Sequence, residues 1–210
     1  MVASIPAKKG KIGVLIEQHF DPDEYIQFNR YFPTQGYEVE YLTHLWDQPS
    51  LKFFANPDDD GTIRGSVVVT VEVSHVSPAD YRGIILIGAY AMDRLRYQTN
   101  ITPGEPNTAP AVEFLRRSLG TKGLKIGAIC HSLWLFCADR TLLQGRRVTC
   151  AHNIVCDVEA AGATIVYEGN QTAAVVVDGD LVTAKHPGFT QQFMERFVAE
   201  LAGTAAAAAT

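Results

Sequence analysis

One stretch constrains the chain more than any other: Gly123 to Thr149, GLKIGAICHSLWLFCADRTLLQGRRVT. Lys125 to Ile129 is a short apolar run, Cys130 and His131 follow, and apolar spacing of helical period runs from Leu133 to Leu143 before Gly145 stops it. A buried strand that hands over directly to a helix puts the joining residue on a sharp turn at the carboxyl edge of a sheet, with its side chain exposed. A cysteine there sits at a helix N-terminus, where unpaired N–H groups favour the thiolate, and has an imidazole beside it in sequence. Cysteine is often a small buried hydrophobe, and that reading suits Cys137, Cys150 and Cys156. The junction position makes Cys130 a candidate nucleophile.

The flanking segments read as alternating strands and helices. Lys11 to Glu17 is a buried strand, Asp23 to Gln35 a helix with Tyr25, Phe28, Tyr31 and Phe32 on one side, and Tyr37 to Thr43 a second strand. FFANPDDDGTIRG reads as turns or a hairpin, and Ser66 to Ser74 alternates as a strand. Gly83 to Ile87 is another buried strand, after which Gly88 and Ala89 let a ligand or facing backbone come close. Tyr90 to Tyr97 begins a helix, and Gln98 to Pro110, rich in Pro, Asn and Thr, is a candidate cover for the site. A helix over Ala111 to Gly120 leads into the cysteine strand. Beyond it, Arg147 to Ala151 is a strand, Ile154 to Ala161 a helix, Thr164 to Tyr167 a strand, and Ala173 to Val177 and Leu181 to Ala184 a hairpin across Asp178-Gly179. Thr190 to Leu201 is the last helix. This order predicts an α/β fold: a doubly wound, mostly parallel sheet sandwiched by helices, with Cys130 where such folds bind ligands.

With 210 residues, the chain suits one domain over residues 11–202, between an N-terminal tail (1–10) and an Ala-rich C-terminal tail (203–210) that either extends the last helix or is disordered. A net charge of −5 without a basic run gives no reason to expect nucleic acid. No apolar stretch is long enough for a membrane span, the start lacks the apolar core of a secretory signal, and four cysteines without CxxC spacing fit a reducing compartment; a cytoplasmic location is expected. Histidines 19, 44, 75 and 186 have no metal-ligand spacing, so no metal or other cofactor is expected. His19 follows the first strand and is a possible pocket residue, though a surface turn also accounts for it. Trp134 reads as core.

AICHSLW around Cys130, the LLQGRRVT after it, VVVDGDLVTAKHPG from Val175 to Gly188, and GAYAMDRLR from Gly88 to Arg96 together resemble the ThiJ/PfpI superfamily. Its members include PfpI-type intracellular proteases, the parkinsonism-associated deglycase, glutathione-independent glyoxalases and isonitrile hydratases. The resemblance covers Lys11 to Leu201 and implies a flavodoxin-like, class I glutamine-amidotransferase-like fold with the cysteine on a nucleophile elbow. It implies a carboxylate hydrogen-bonded to the cysteine in a pattern like Phe-Glu-Asp-x-Glu. The matching stretch is Phe20-Asp21-Pro22-Asp23-Glu24, in which the first acid is Asp21. A helix N-cap ahead of Pro22 accounts for Asp21 equally.

The resemblance further implies that His131 works with an acid from a neighbouring subunit, at the position of Asp93; an exposed Asp93 pairing with Arg94 or Arg96 is the alternative. It implies an oxyanion site made by the N–H groups of Ala89 and His131 beside Gly88, with Tyr90 as a possible pocket residue. The ring usually found near the thiol falls on Ala151, with His152 next to it; His152 points away if strand register holds and enters the site if the strand bulges. The expected activity is attack by Cys130 on a small electrophilic substrate, with Asp21 and His131 moving protons, by a chain that forms a dimer or higher homo-oligomer. A redox sensor or stress chaperone with an oxidisable thiol is the non-enzymatic alternative.

Overall fold

The computed structural model describes residues 7–208. The central sheet has seven strands: β1 (Gly10–Leu15), β2 (Tyr37–Thr43), β3 (Val71–Glu72), β4 (Gly83–Leu86), β5 (Lys125–Ile129), β6 (Val175–Asp178) and β7 (Leu181–Ala184). Their spatial order is β6-β7-β5-β4-β1-β2-β3. Every pairing is parallel except that of β6 with β7, a hairpin whose turn has Gly179 at φ 65°. The chain therefore runs from β1 outward through β2 and β3, then returns to the other side of β1. The reversal between β1 and β4 opens a crevice at their carboxyl ends.

Among the described residues, six α-helices flank the sheet: α1 (Pro22–Thr34), α2 (Ala91–Leu95), α3 (Pro110–Leu119), α4 (Trp134–Cys137), α5 (Val155–Ala160) and α6 (Thr190–Ala208). One layer is locked by an aromatic chain from α1 to α6, with ring centroids 6.2 Å apart for Phe28 and Phe193 and 6.4 Å for Phe32 and Phe197. All four rings are fully buried, each stabilising the fold by about 1.5–3 kcal/mol. Two strand glycines make room for them: a Cβ on Gly127 would lie 2.6 Å from Phe193 Cζ, and one on Gly83 2.6 Å from Phe197 Cζ. The apolar burial of β4 and β5 on both faces is what a parallel strand covered by helices requires.

The structure alters several sequence expectations. The alternating run from Ser66 to Ser74 is two strands: Ser66–Val69 pairs antiparallel with Leu51–Phe54 in a separate hairpin, and the chain then passes to β3 at the sheet edge. The helix after Cys130 is a single turn, because the Asp139 carboxylate accepts the Thr141 N–H and starts a 3-10 turn over Arg140–Leu142. The strand begun by Arg147 ends at Val148, paired with Thr164–Ile165 outside the central sheet. The last helix continues to Ala208, so the described part of the Ala-rich tail extends α6. No described helix is long and apolar enough to cross a membrane.

Candidate active site

Parallel register brings the ends of β4 and β5 level. Leu86 lies opposite Ala128, so Gly88 and Cys130 leave the sheet together. Cys130 takes φ 60°, the left-handed turn expected of a residue between strand and helix, and Ala89 and His19 on neighbouring loops take φ 53° and 64°. Each such non-glycine conformation costs about 1–3 kcal/mol, and their clustering at one sheet edge is typical of functional sites. Surrounding bonds hold them: the Cys130 N–H donates to Ala184 O at 2.9 Å, the Ala151 N–H donates to Cys130 O at 3.1 Å, and the Tyr90 N–H donates to His19 O at 3.0 Å.

Cys130 Sγ lies 3.0 Å from His131 Nδ1. Burial holds the His131 imidazole below its ordinary pKa, with Asn153 partly offsetting this, so at neutral pH the ring is a free base. Its other nitrogen, Nε2, is buried with no hydrogen-bond partner among the described residues. Tyr90, half exposed, and Trp134 flank the ring at centroid distances of 5.5 and 5.2 Å. Trp134, partly buried and packed against the core, thus also forms a wall of the site, with Nε1 donating to Asp157 Oδ2 at 3.0 Å.

The carboxyl beside the thiol is Glu24. Asp21 instead caps α1: its Oδ1 accepts the N–H groups of Asp23 and Glu24 at 2.9 and 3.0 Å, as its place ahead of Pro22 allows. Glu24 follows on the buried face of that helix, four residues before Phe28 and eight before Phe32. It is fully buried, and its Oε2 accepts the Gly88 N–H at 2.6 Å. A Cβ on Gly88 would lie 2.5 Å from Glu24 Oε1 and 2.9 Å from Cys130 Cβ, so the glycine is the gap through which carboxyl and cysteine approach. The N-cap alternative therefore holds for Asp21, and the carboxyl expected beside the cysteine is Glu24, to which the sequence reading gave no role. The Glu24-Phe28-Phe32 spacing was the sequence signal for this.

Burial, reinforced by the nearby Asp21 charge, pushes the Glu24 carboxyl well above its ordinary value and so favours its protonated form. Burial also pushes the Cys130 thiol up, as would charge on Glu24, while the N–H groups of Ala89 and His131, both hydrogen-bonded to sulfur, act in the opposite direction. A helix N-terminus was expected to favour the thiolate, but the four residues of α4 supply little dipole. Cys130 is also only 6% exposed, covered where an open elbow was expected. The resting site is accordingly a neutral thiol facing a neutral imidazole, with two N–H groups placed for the negative charge that appears when the proton moves.

The remaining candidates lie around this centre. Asp93 is exposed and pairs with Arg96 at 3.0 Å, away from the imidazole of its own chain. His152 stands on a 3-10 turn, exposed, and borders a cavity rather than the thiol. His19 is exposed in its turn. The segment before α3 hydrogen-bonds to its own neighbours, Asn107 Nδ2 to Arg96 O and Arg116 Nη2 to Asn107 O.

Comparisons with known proteins bear on the fold. An uncharacterized protein of Staphylococcus haemolyticus is 26% identical over 197 residues, spanning 91% of this chain and 97% of its own. One from Staphylococcus aureus is 26% identical over 191 residues, spanning 91% and 98%. Among solved structures, a two-domain protein from Anabaena variabilis with DJ-1/ThiJ/PfpI-like and ferritin-like domains superposes with a TM-score of 0.76 at 24% identity over 92% of this chain, which spans about half (48%) of that protein. Drosophila melanogaster DJ-1beta superposes with a TM-score of 0.68 at 15% identity, over 98% of this chain and 99% of its own. The family model described as DJ-1/PfpI family matches residues 10–200, and the chain belongs to that family.

Proposed function

We propose that the protein is a cysteine-dependent enzyme that attacks a small electrophilic carbonyl-type substrate through Cys130. The observation that carries this is the 3.0 Å contact between Cys130 Sγ and a neutral His131 Nδ1 at a left-handed turn. As sulfur bonds to the substrate carbon, its proton passes to Nδ1 and the carbonyl π electrons move to oxygen, where the Ala89 and His131 N–H groups can receive the charge. With an α-oxoaldehyde the product is a hemithioacetal. His131, protonated in the first step and neutral again after reprotonating the oxygen, can then carry a proton from the first carbon to the second, and water releases a hydroxy acid. No electrons are gained or lost overall.

The near-complete burial of Cys130 favours small substrates over folded polypeptides. Glyoxalase-like lyase and hydrolase or amidase chemistry use the same first step, as does addition to an isonitrile carbon by a hydratase-like or biosynthetic tailoring enzyme. A homo-oligomer suits this reading: Asp93 is exposed, so a second copy can supply the orienting acid to His131. Four free cysteines, two of them buried, suit a reducing cytoplasm.

The test is turnover of methylglyoxal by purified protein beside a Cys130→Ser control. Lactate from the wild type alone supports the reading. Equal lactate from both removes Cys130 from the chemistry and overturns it.

A further inference from the structure

A cavity of about 590 Å³ is bordered by His152, Tyr167, Asn170, Lys185, His186 and Phe189 among others, with neither Cys130 nor His131 in its lining. Two backbone contacts tie the cysteine to residues next in the chain to that lining. Ala151, whose N–H bonds the Cys130 carbonyl, is followed by His152; Ala184, whose carbonyl accepts the Cys130 N–H, is followed by Lys185. His152 and His186 also stand close enough to His131 to disfavour its protonation.

The lining is unusual for a chain of net charge −5: its titratable groups are one lysine, two imidazoles and a tyrosine, and among the described residues no carboxylate borders it. Lys185 Nζ spends two donors on neutral acceptors, Thr172 O at 2.9 Å and Gln171 Oε1 at 3.2 Å, and stands 5.0 Å from the Phe189 ring centroid. These contacts fix the ammonium without neutralising it and leave a third N–H. His186 Nδ1 accepts the Gly188 N–H at 3.1 Å, which puts the proton of the neutral ring on Nε2 and makes that nitrogen a donor. The amides of Asn170 and Gln171 add further donors.

We propose that this cavity is an anion subsite: the substrate carries a carboxylate or phosphate group that Lys185 and His186 hold while its electrophilic carbon is presented to Cys130. The inference rests on Cys130 being the nucleophile. It narrows the substrate class to acidic electrophiles and makes Lys185 a specificity-determining residue.

The experiment compares alkylation of Cys130 by iodoacetate and iodoacetamide, which deliver nearly the same carbon with and without a charge, read at the Cys130 peptide by mass spectrometry in the full-length protein. The expected result is a rate ratio favouring iodoacetate over that of a free thiol, falling about tenfold in Lys185→Gln, as loss of one nearby charge in a partly buried site predicts. In the unmodified protein, at constant ionic strength, inorganic phosphate or propionate should slow labelling; stronger protection by phosphate assigns the group to a phosphate, and the reverse to a carboxylate. This arm does not depend on the variant folding. A ratio equal to that of a free thiol, with no protection by either anion, overturns the subsite while leaving the nucleophile intact. A thiol that neither reagent labels overturns both.

Discussion

Glu24 Oε2 accepts the Gly88 N–H at 2.6 Å and thereby ties the first turn of α1 to the end of β4. The bond crosses the reversal in strand order, so the group that shapes the thiol's surroundings also spans the crevice. The carboxyl is fully buried and its Oε1 has no hydrogen-bond partner among the described residues, so burial favours its protonated form.

Glu24 therefore carries a pH-dependent penalty. Its folded pKa lies above the ordinary glutamate value of 4.5, so the penalty is absent below that value and grows as pH rises through the folded pKa, where ionisation would favour unfolding. Glu24→Gln keeps the shape without the ionisation. Thermal melts should show the variant gaining on the wild type with rising pH, while its Cys130 chemistry slows by about 10²-fold. A melting difference independent of pH would contradict the buried, protonated carboxyl.

Gly88→Ala tests the approach itself. The added methyl meets Glu24 and the Cys130 Cβ at distances that no relaxed side chain accepts, and overpacking of this kind costs about 1–3 kcal/mol. Denaturant unfolding should report that loss, and Cys130 labelling should change with it. A stable, fully reactive variant would mean that the three residues are not in contact.

His131 gives the acid limb of activity. Its free-base form is the active one, and burial holds its pKa below the ordinary 6.5. The rate of Cys130 chemistry should therefore persist below pH 6.5 and fall only as the lowered pKa is crossed. A fall centred above 6.5 would assign the limb to another group.

Cys156 is exposed on α5 and takes no part in the site. Cys156→Ser should leave both melting temperature and turnover within experimental error, whereas Cys130→Ser should abolish turnover alone.

The sequence was most informative where the chemistry is local. Strand β5, the turn at Cys130 and the adjacent imidazole lie in consecutive residues, and β2, β5 and β7 have the expected bounds. Where partners are distant in sequence, the same reasoning lost discrimination. Ser66 to Glu72 alternates throughout, but whether it pairs with Leu51–Phe54 or with Leu42–Thr43 depends on contacts the local pattern does not encode. The apolar spacing to Leu143 suggested a long helix, yet Asp139, bonded to Thr141 and paired with Arg116 at 2.7 Å, ends it early. Asp21 and Glu24 are both visible as acids in the sequence; separating the cap from the carboxyl buried beside the thiol requires the helix register set by Phe28 and Phe32.

The most direct test of the central claim is the alkylation rate of Cys130 by iodoacetamide at pH 7 in the wild type and in His131→Gln. If His131 takes the thiol proton, the variant should react more slowly by at least about tenfold, since burial leaves the thiol little tendency to ionise alone. Equal rates in the two proteins would contradict the account, because the thiol would then be activated without the imidazole that stands 3.0 Å from it.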